Sequence, residues 1–262
     1  MRSIVSPALT LASVRNMNGT MWDIANSFQS KLTTHITQTS IDGQGHSSAV
    51  IDLTYWMAVV TLEVIGRVGF NHDFGLGDSD EAKLIIQSWH DQASAGLQPS
   101  GFVALVVLRT FPFITSLPVE AMQKQGETKQ IVQKLARELV ASSSLEGNTD
   151  ILSLLGVYNS VSYLVRTLKS ILTVFPVTAQ HREEKHKQTT LEEIIEHITT
   201  FTVSGHETSA GVLSFALHAL AQHPLSQQRL RDELLAFGRE PSFDELWNGD
   251  SLPYLEAVIK ES

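Results

Sequence analysis

The fold of this chain is decided by residues 191–222, which read LEEIIEHITTFTVSGHETSAGVLSFALHALAQ. One set of positions recurs at alternating steps of four and three residues, which places it on one face of a helix. The set comprises Ile194, Ile198, Phe201, Gly205, Thr208, Val212 and Phe215. Thr190 with Glu193 makes a capping box, and His223-Pro224 stops the helix at its other end. We therefore predict one helix of roughly 48 Å.

The middle of this face is not apolar, because it carries a glycine and a hydroxyl, Gly205 and Thr208. A helical threonine can donate a hydrogen bond to the carbonyl four residues earlier, which for Thr208 is the carbonyl of Ser204. Gly205 adds no side chain, so the face has a notch at this level. The residues alone leave two readings open: the notch admits a ligand, or it lets another helix approach closely.

The rest of the chain has mostly helical period, and the predicted class is mainly α. Before the long helix we predict four others: one from about Pro7 that fades within Thr33–Ser48, one from about Ile51 to Gly66, one that begins near Asp80, and a one-sided helix within Val119–Ala141. After it we predict a helix from Pro224 that Gly238 ends, and another that begins near Leu252. Leu97–Pro118 contains three prolines, which predicts a hydrophobic loop region rather than one long helix.

The composition excludes several classes of function. With 19 basic and 28 acidic residues the net charge is −9, so the positive field of a nucleic-acid-binding protein is missing. The chain has no cysteine, which excludes disulfides, cysteine nucleophiles and thiolate ligands to metals within these residues. The first residues contain no apolar stretch of signal-peptide length, and no apolar run approaches the roughly 20 residues of a membrane span. We therefore expect neither a signal peptide nor a membrane anchor in this chain.

The string Ser204-Gly205-His206-Glu207-Thr208-Ser209 resembles the oxygen-activation motif of cytochromes P450. That motif is Ala or Gly, then Gly, any residue, Asp or Glu, Thr, and Thr or Ser, so only Ser204 departs from it. Three further stretches resemble the family in the expected order. They are Arg2–Leu9, similar to the helix whose arginine binds a haem propionate; His223–Leu234, similar to the helix after the oxygen-activation helix; and Leu252–Glu261, similar to the approach to the Glu-x-x-Arg motif, with Glu261 as its glutamate.

The resemblance implies a mainly α, cytochrome P450-like helical domain that is incomplete. It would extend over residues 1–262, from the propionate-arginine helix through the start of the Glu-x-x-Arg helix. The run 156–189 is longer and more apolar than the family pattern predicts, which indicates an inserted segment such as a retained intron.

The function that the resemblance implies is haem-dependent monooxygenation of a small hydrophobic organic substrate, with electrons from a reductase. Thr208 would hydrogen-bond the bound dioxygen, and Glu207 would help relay protons for cleavage of the oxygen–oxygen bond. Arg2, Ser204 and Gly205 would contact the haem. Family members of this kind act at the cytosolic face of the endoplasmic reticulum membrane.

The missing cysteine qualifies this expectation, because the family holds its iron through a cysteine thiolate. We expect the chain alone to be inactive. The alternative function is a haem-free helical fragment or binding partner without catalysis. A zinc site is not expected, because Ala210 stands where the His-Glu-x-x-His pattern needs its second histidine.

Overall fold

The computed structural model describes residues 10–39, 49–97, 130–138 and 191–261. In these ranges the backbone is almost entirely helical and contains no strand, so the mainly α class is confirmed. The helices are α1 (Leu11–Thr39), α2 (Leu53–Val64), α3 (Asp80–Leu97), α4 (Leu191–Gln222), α5 (Pro224–Phe237), α6 (Phe243–Asn248) and α7 (Pro253–Glu261), and residues 130–138 are helical as well. None of the helices in these ranges is both long and apolar enough to cross a membrane.

The main core lies where α2, α3 and the helical segment 130–138 meet the first half of α4. Its buried side chains are apolar throughout. They are Val59, Leu62, Phe70, Phe74, Ala82, Ile85, Ile86, Val132, Leu135, Ala136, Ile194, Ile195 and Ile198. A second cluster, centred on Trp56, Met57 and Ala210, continues the contact between α2 and α4 toward α1. The long helix is thus fixed to the molecule mainly through α2.

Helix α2 changes its geometry where it passes the middle of α4. Asp52 caps its start by accepting from the Tyr55 N–H at 3.0 Å. At the other end the backbone becomes a π-helix over Ile65–Gly69, which widens the turn. This segment also packs on α4. The wider turn therefore lies beside the centre of the long helix.

A short 3₁₀ turn, Gly75–Gly77, follows and contains a left-handed leucine, Leu76, with φ of 50°. Two side chains stabilise this unfavourable conformation. The buried carboxylate of Glu63 accepts from the Leu76 N–H at 2.8 Å, and the Lys31 ammonium donates to the Leu76 carbonyl at 2.8 Å. Burial raises the pKa of Glu63, because the charged form loses solvation that one backbone N–H only partly replaces.

The last three helices are held to each other and to α1 by polar contacts. Glu233 of α5 accepts from the Tyr254 and Leu255 N–H groups, both at 2.9 Å, and so caps α7 from a neighbouring helix. The Asn26 amide of α1 donates to Glu240 at 2.9 Å, in the connection between α5 and α6. These contacts fix α5 and α7 as a pair.

Most predicted helix boundaries are confirmed. Helix α4 spans Leu191–Gln222 as predicted, Pro224 begins α5, and Gly238 follows α5 with a left-handed φ of 70°. The first helix, α1, ends at Thr39, within the predicted range Thr33–Ser48, and the hydroxyls of Thr34, Thr37 and Thr39 donate to carbonyls four residues earlier. The short helix α6 was not predicted. Thr190, most of Leu97–Pro118, most of Val119–Ala141 and the run 156–189 lie outside the described residues.

Candidate functional site

The predicted face of α4 passes from the core onto an open surface. Ile194 and Ile198 are buried, Phe201 and Gly205 are half-buried, and the last three members, Thr208, Val212 and Phe215, are exposed. Phe215 has 73% of its surface exposed, and exposed Val212, Leu213 and Leu217 lie on the same part of α4, so this half of the helix carries several exposed apolar side chains. The motif at 204–209 therefore lies at the boundary between packed and open helix.

Two hydroxyl residues of the motif face the open side together. Ser204 and Thr208 are exposed and lie one turn apart. The Thr208 hydroxyl donates to the Ser204 carbonyl at 2.7 Å, so the predicted back-bond is confirmed. Because the hydroxyl proton is used inside the helix, the remaining lone pairs of Thr208 Oγ1 are available to donors on the open side.

Gly205 has a different environment and faces helix α2. A methyl group in place of its Cα hydrogen would lie 3.1 Å from Ile65 Cδ1 and 3.3 Å from Ile65 Cγ1. The notch is thus filled by Ile65 at this position, and close helix approach is the reading that the packing supports for Gly205. The prediction that Gly205 contacts haem stays a prediction.

His206 is buried between the two helices, with 1% of its surface exposed. Its ring Nδ1 lies 2.6 Å from the Thr202 carbonyl, which can only accept, so Nδ1 carries the proton. Burial lowers the pKa of His206, although the Thr202 carbonyl and the charge of Glu207 oppose this shift. The family motif accepts any residue at this position, so it did not predict that His206 would be buried between the helices.

Thr61 of α2 is a second residue that the sequence analysis did not single out. It is buried, and its hydroxyl oxygen lies 2.8 Å from the His206 carbonyl oxygen on α4. A threonine in an apolar helix carries no local signal for a partner 145 residues away. Only the packing of α2 on α4 brings the two residues together.

The other predicted site residues are not assembled around Thr208 in the described part of the chain. Glu207 is half-buried next to His206. Glu261 is exposed at the end of α7, where it lines a groove of about 260 Å³ together with Ala257 and Leu220. Arg2 lies outside the described residues. The structure thus brings together Ser204 and Thr208 on one side of α4, and Gly205 and His206 on the other.

The open side of α4 fits one face of a haem site. Ser204 and Thr208 offer hydroxyls, which donate and accept without carrying charge, beside the exposed apolar side chains of Val212 and Phe215. The donor set lacks the residue for the opposite face, because the chain contains no cysteine to supply a thiolate. The residues present therefore fit contact with a haem on this side of α4, and none of the 262 residues could supply the thiolate that the family uses to hold iron.

Comparison with known proteins agrees with this chemistry. The sequence model of the cytochrome P450 family matches residues 1–262. Cytochrome P450 monooxygenase claU of Ampulloclitocybe clavipes is 26% identical over 268 residues, covering 99% of this chain and 45% of the relative. Monooxygenase FUM15 of Gibberella moniliformis is 27% identical over 275 residues, with 99% and 42% covered. Monooxygenase 205 of Postia placenta is 28% identical over 215 residues, with 82% and 38% covered.

The matched relatives are more than twice as long as the aligned segment, so the chain spans less than half of their length. The family match nevertheless runs from the first residue to the last, and the family carries haem. This chain belongs to the cytochrome P450 family.

Proposed function

We propose that the protein to which these residues belong is a haem-dependent monooxygenase that inserts one atom of dioxygen into a small hydrophobic organic substrate. Electrons would come from a reductase at the cytosolic face of the endoplasmic reticulum membrane. The observation that carries the proposal is the pair of hydroxyls, Ser204 and Thr208, on the open side at the centre of α4. The three relatives compared above are all named monooxygenases, which supports it.

Thr208 is the proton-handling group in this proposal. Its Oγ1 donates to the Ser204 carbonyl at rest; in a transfer, Oγ1 would take a proton from a donor on the open side while its own proton turns away from the carbonyl and passes to an acceptor on that side. The hydroxyl returns to the neutral state at each transfer, so no charge is left in an apolar site. Glu207, half-buried and next in sequence, exchanges protons with water and supplies Thr208.

Haem supplies, when bound, the iron at which dioxygen is reduced. Ser204 would lie against it on the open side of α4, and Arg2 would bind a propionate through its guanidinium. Gly205, which packs against Ile65, would act by keeping this turn of α4 close to α2. The small side chain of Ser204 leaves room for a planar group at this level of the helix. Glu261 would be the glutamate of the Glu-x-x-Arg pair.

Replacing Thr208 tests this assignment in the protein expressed from the complete transcript. Thr208→Ala removes the hydroxyl, so product formed per reducing equivalent should fall by about 10²-fold or more, the usual contribution of a positioned proton donor. Thr208→Ser keeps the hydroxyl and should retain most of the yield. Equal yields for all three proteins would refute the role of Thr208.

The 262 residues alone, we propose, do not support oxygen cleavage of the thiolate type, since they contain no cysteine. The test supplies the purified chain with haem, reduces it and adds carbon monoxide. The expected spectrum has no thiolate-type Soret band, and the appearance of that band would refute the proposal. A chain that takes up no haem at all would favour the second candidate, a haem-free helical binding partner, for which the exposed Phe215 and Val212 would supply the apolar surface.

The run 156–189 is proposed to be an insertion in this domain. Sequencing the spliced transcript decides the matter, because a retained intron would be missing from the mature message. A message that encodes residues 156–178 unchanged would contradict the proposal. The same sequence would show whether a cysteine-bearing loop of the Phe-x-x-Gly-x-x-x-Cys type is encoded downstream.

A further inference from the structure

Thr61 of α2 has an unusual set of hydrogen-bond acceptors. Its hydroxyl oxygen lies 2.8 Å from the Met57 carbonyl, one turn earlier in its own helix, and 2.8 Å from the His206 carbonyl of α4. The Ala58 carbonyl lies further away, at 3.3 Å. A hydroxyl has one proton, so these carbonyls share it, and the two at 2.8 Å are the nearer acceptors. Thr61 therefore links the two helices at a buried point.

The linked carbonyl belongs to the central turn of the motif. His206 lies between Ser204 and Thr208 in sequence, and its carbonyl also accepts the helical N–H of Ala210. The ring of the same residue donates to the Thr202 carbonyl at 2.6 Å. Residue 206 is thus fixed at two points, through its side chain within α4 and through its carbonyl to α2.

The neighbouring packing requires the same closeness of the two helices. Ile65, one turn after Thr61 on the side of α2 that meets α4, fills the space at Gly205. A larger residue at Gly205 would push the helices apart and lengthen the contact between Thr61 and His206. Gly205 and the hydrogen bond from Thr61 to the His206 carbonyl therefore both require the same short distance between α2 and α4.

We propose that Thr61 is a positioning residue for Thr208: by holding the His206 carbonyl against α2, it sets the rotation of the 204–208 turn and keeps the Thr208 hydroxyl on the Ser204 carbonyl, facing the open side. The inference rests on the proposed function for its catalytic meaning, since Thr208 is the proton-handling group there. The positioning itself is a property of the 262-residue chain.

The sequence permits a direct measurement of the two carbonyls. His206-Glu207 is the chain's one His-Glu pair, so labelling with carbonyl-¹³C histidine and ¹⁵N glutamate selects the His206 carbonyl in NMR spectra. Carbonyl-¹³C serine with ¹⁵N glycine selects Ser204 and one other pair, residues 100–101. The His206 carbonyl signal reports the hydrogen bond that it accepts from Thr61, and the Ser204 carbonyl signal reports the one that it accepts from Thr208.

Three variants separate positioning from simple packing. Thr61→Val removes the hydroxyl and keeps the shape, so the ¹³C signals of both the His206 and Ser204 carbonyls should shift from their wild-type positions. Thr61→Ser retains the donor and should leave both signals near those of the wild type. Thr199→Val is the matched control, because Thr199, on α4, is buried like Thr61, and among the described residues its hydroxyl donates within its own helix, to the Ile195 carbonyl at 2.8 Å.

The outcome that overturns the proposal is a Ser204 signal that stays in place when Thr61 loses its hydroxyl, since Thr61 would then be only a packing contact. An unchanged His206 signal would overturn it as well.

If Thr61→Val does not fold, transfer of the wild-type chain to D₂O exchanges the Thr61 hydroxyl proton at once and the buried Ala210 amide proton slowly. An immediate isotope shift at the His206 carbonyl supports the link, and its absence refutes it. None of these readouts involves haem, so failure of the monooxygenase proposal in the Thr208→Ala assay leaves them unaffected.

Discussion

Gly205→Ala tests the close contact between α2 and α4 at the centre of the motif. The added methyl would lie 3.1 Å from Ile65 Cδ1 and 3.3 Å from Cγ1, closer than side-chain carbons normally pack. Gly211, two turns further along α4, provides the matched control because a methyl there would meet nothing within 4 Å. The same substitution in one helix therefore probes a filled and an open position.

The expected free energies of unfolding follow from two opposing effects. Alanine is favoured over glycine inside a helix by about 0.8–1 kcal/mol. Overpacking a filled site costs about 1–3 kcal/mol. Gly211→Ala should therefore stabilise the chain by about 1 kcal/mol, whereas Gly205→Ala should change its stability by between about 0 and −2 kcal/mol.

Urea unfolding followed by circular dichroism measures both variants, and a third, Ile65→Ala, completes a double-mutant cycle. Ile65→Ala removes both atoms that the new methyl would contact, so Gly205→Ala should become stabilising in that background. The coupling between the two positions should then be about 1–3 kcal/mol, as expected for residues in direct contact. Stabilisation by Gly205→Ala equal to that of Gly211→Ala, in the presence of Ile65, would refute the reasoning.

Three further predictions concern charged groups. The raised pKa of Glu63 means that stability falls as pH rises from 4.5 through the folded-state pKa, and Glu63→Gln should abolish this part of the pH dependence in urea unfolding. The lowered pKa of His206 has the opposite consequence: stability is lost as pH falls from 6.5 toward the folded-state pKa, and His206→Gln should reduce that loss. Glu233→Ala leaves the first amides of α7 without their acceptor, so it should cost about 1–2 kcal/mol and accelerate their hydrogen exchange. As a comparison, Glu256→Ala removes the ion pair with Lys260 but no hydrogen bond that caps α7, so it should cost less than Glu233→Ala.

The helices were predictable where the apolar period of the sequence ends at a residue that stops helices, such as proline or glycine. Helix α4 has apolar period along its length and Pro224 beyond its end, and Gly238 supplies a left-handed stop for α5. The end of α1 was predicted only as a range, because threonine-rich sequence is also typical of loops, and the helix reaches Thr39 with its hydroxyls donating to the helix's own carbonyls. The π-helical turn at Ile65–Gly69 was missed because it depends on packing against α4 rather than on its own residues.

The candidate site was predictable on one side only. Thr208 follows from spacing on a single helix, Ser204 enters as a site residue through the resemblance to the family motif, and the hydrogen bond between them was expected from their separation of four residues. Thr61 was not predictable, because its partner belongs to a helix far along the chain. His206 was not singled out because the buried stripe that contains it carries threonines and an imidazole, which do not register as apolar period.

The two sides of the motif explain why its residues are so closely spaced. Successive helical residues point about 100° apart, so a run of five must face both the core and the open surface. Gly205 and His206 fix the turn to α2, and Ser204 and Thr208 present hydroxyls outward. A hydroxyl that passes protons has to keep its place when it gives up its own hydrogen bond to Ser204. In the proposed role of Thr61, its contact with the His206 carbonyl would hold the turn at that moment, because this contact does not depend on the Thr208 proton.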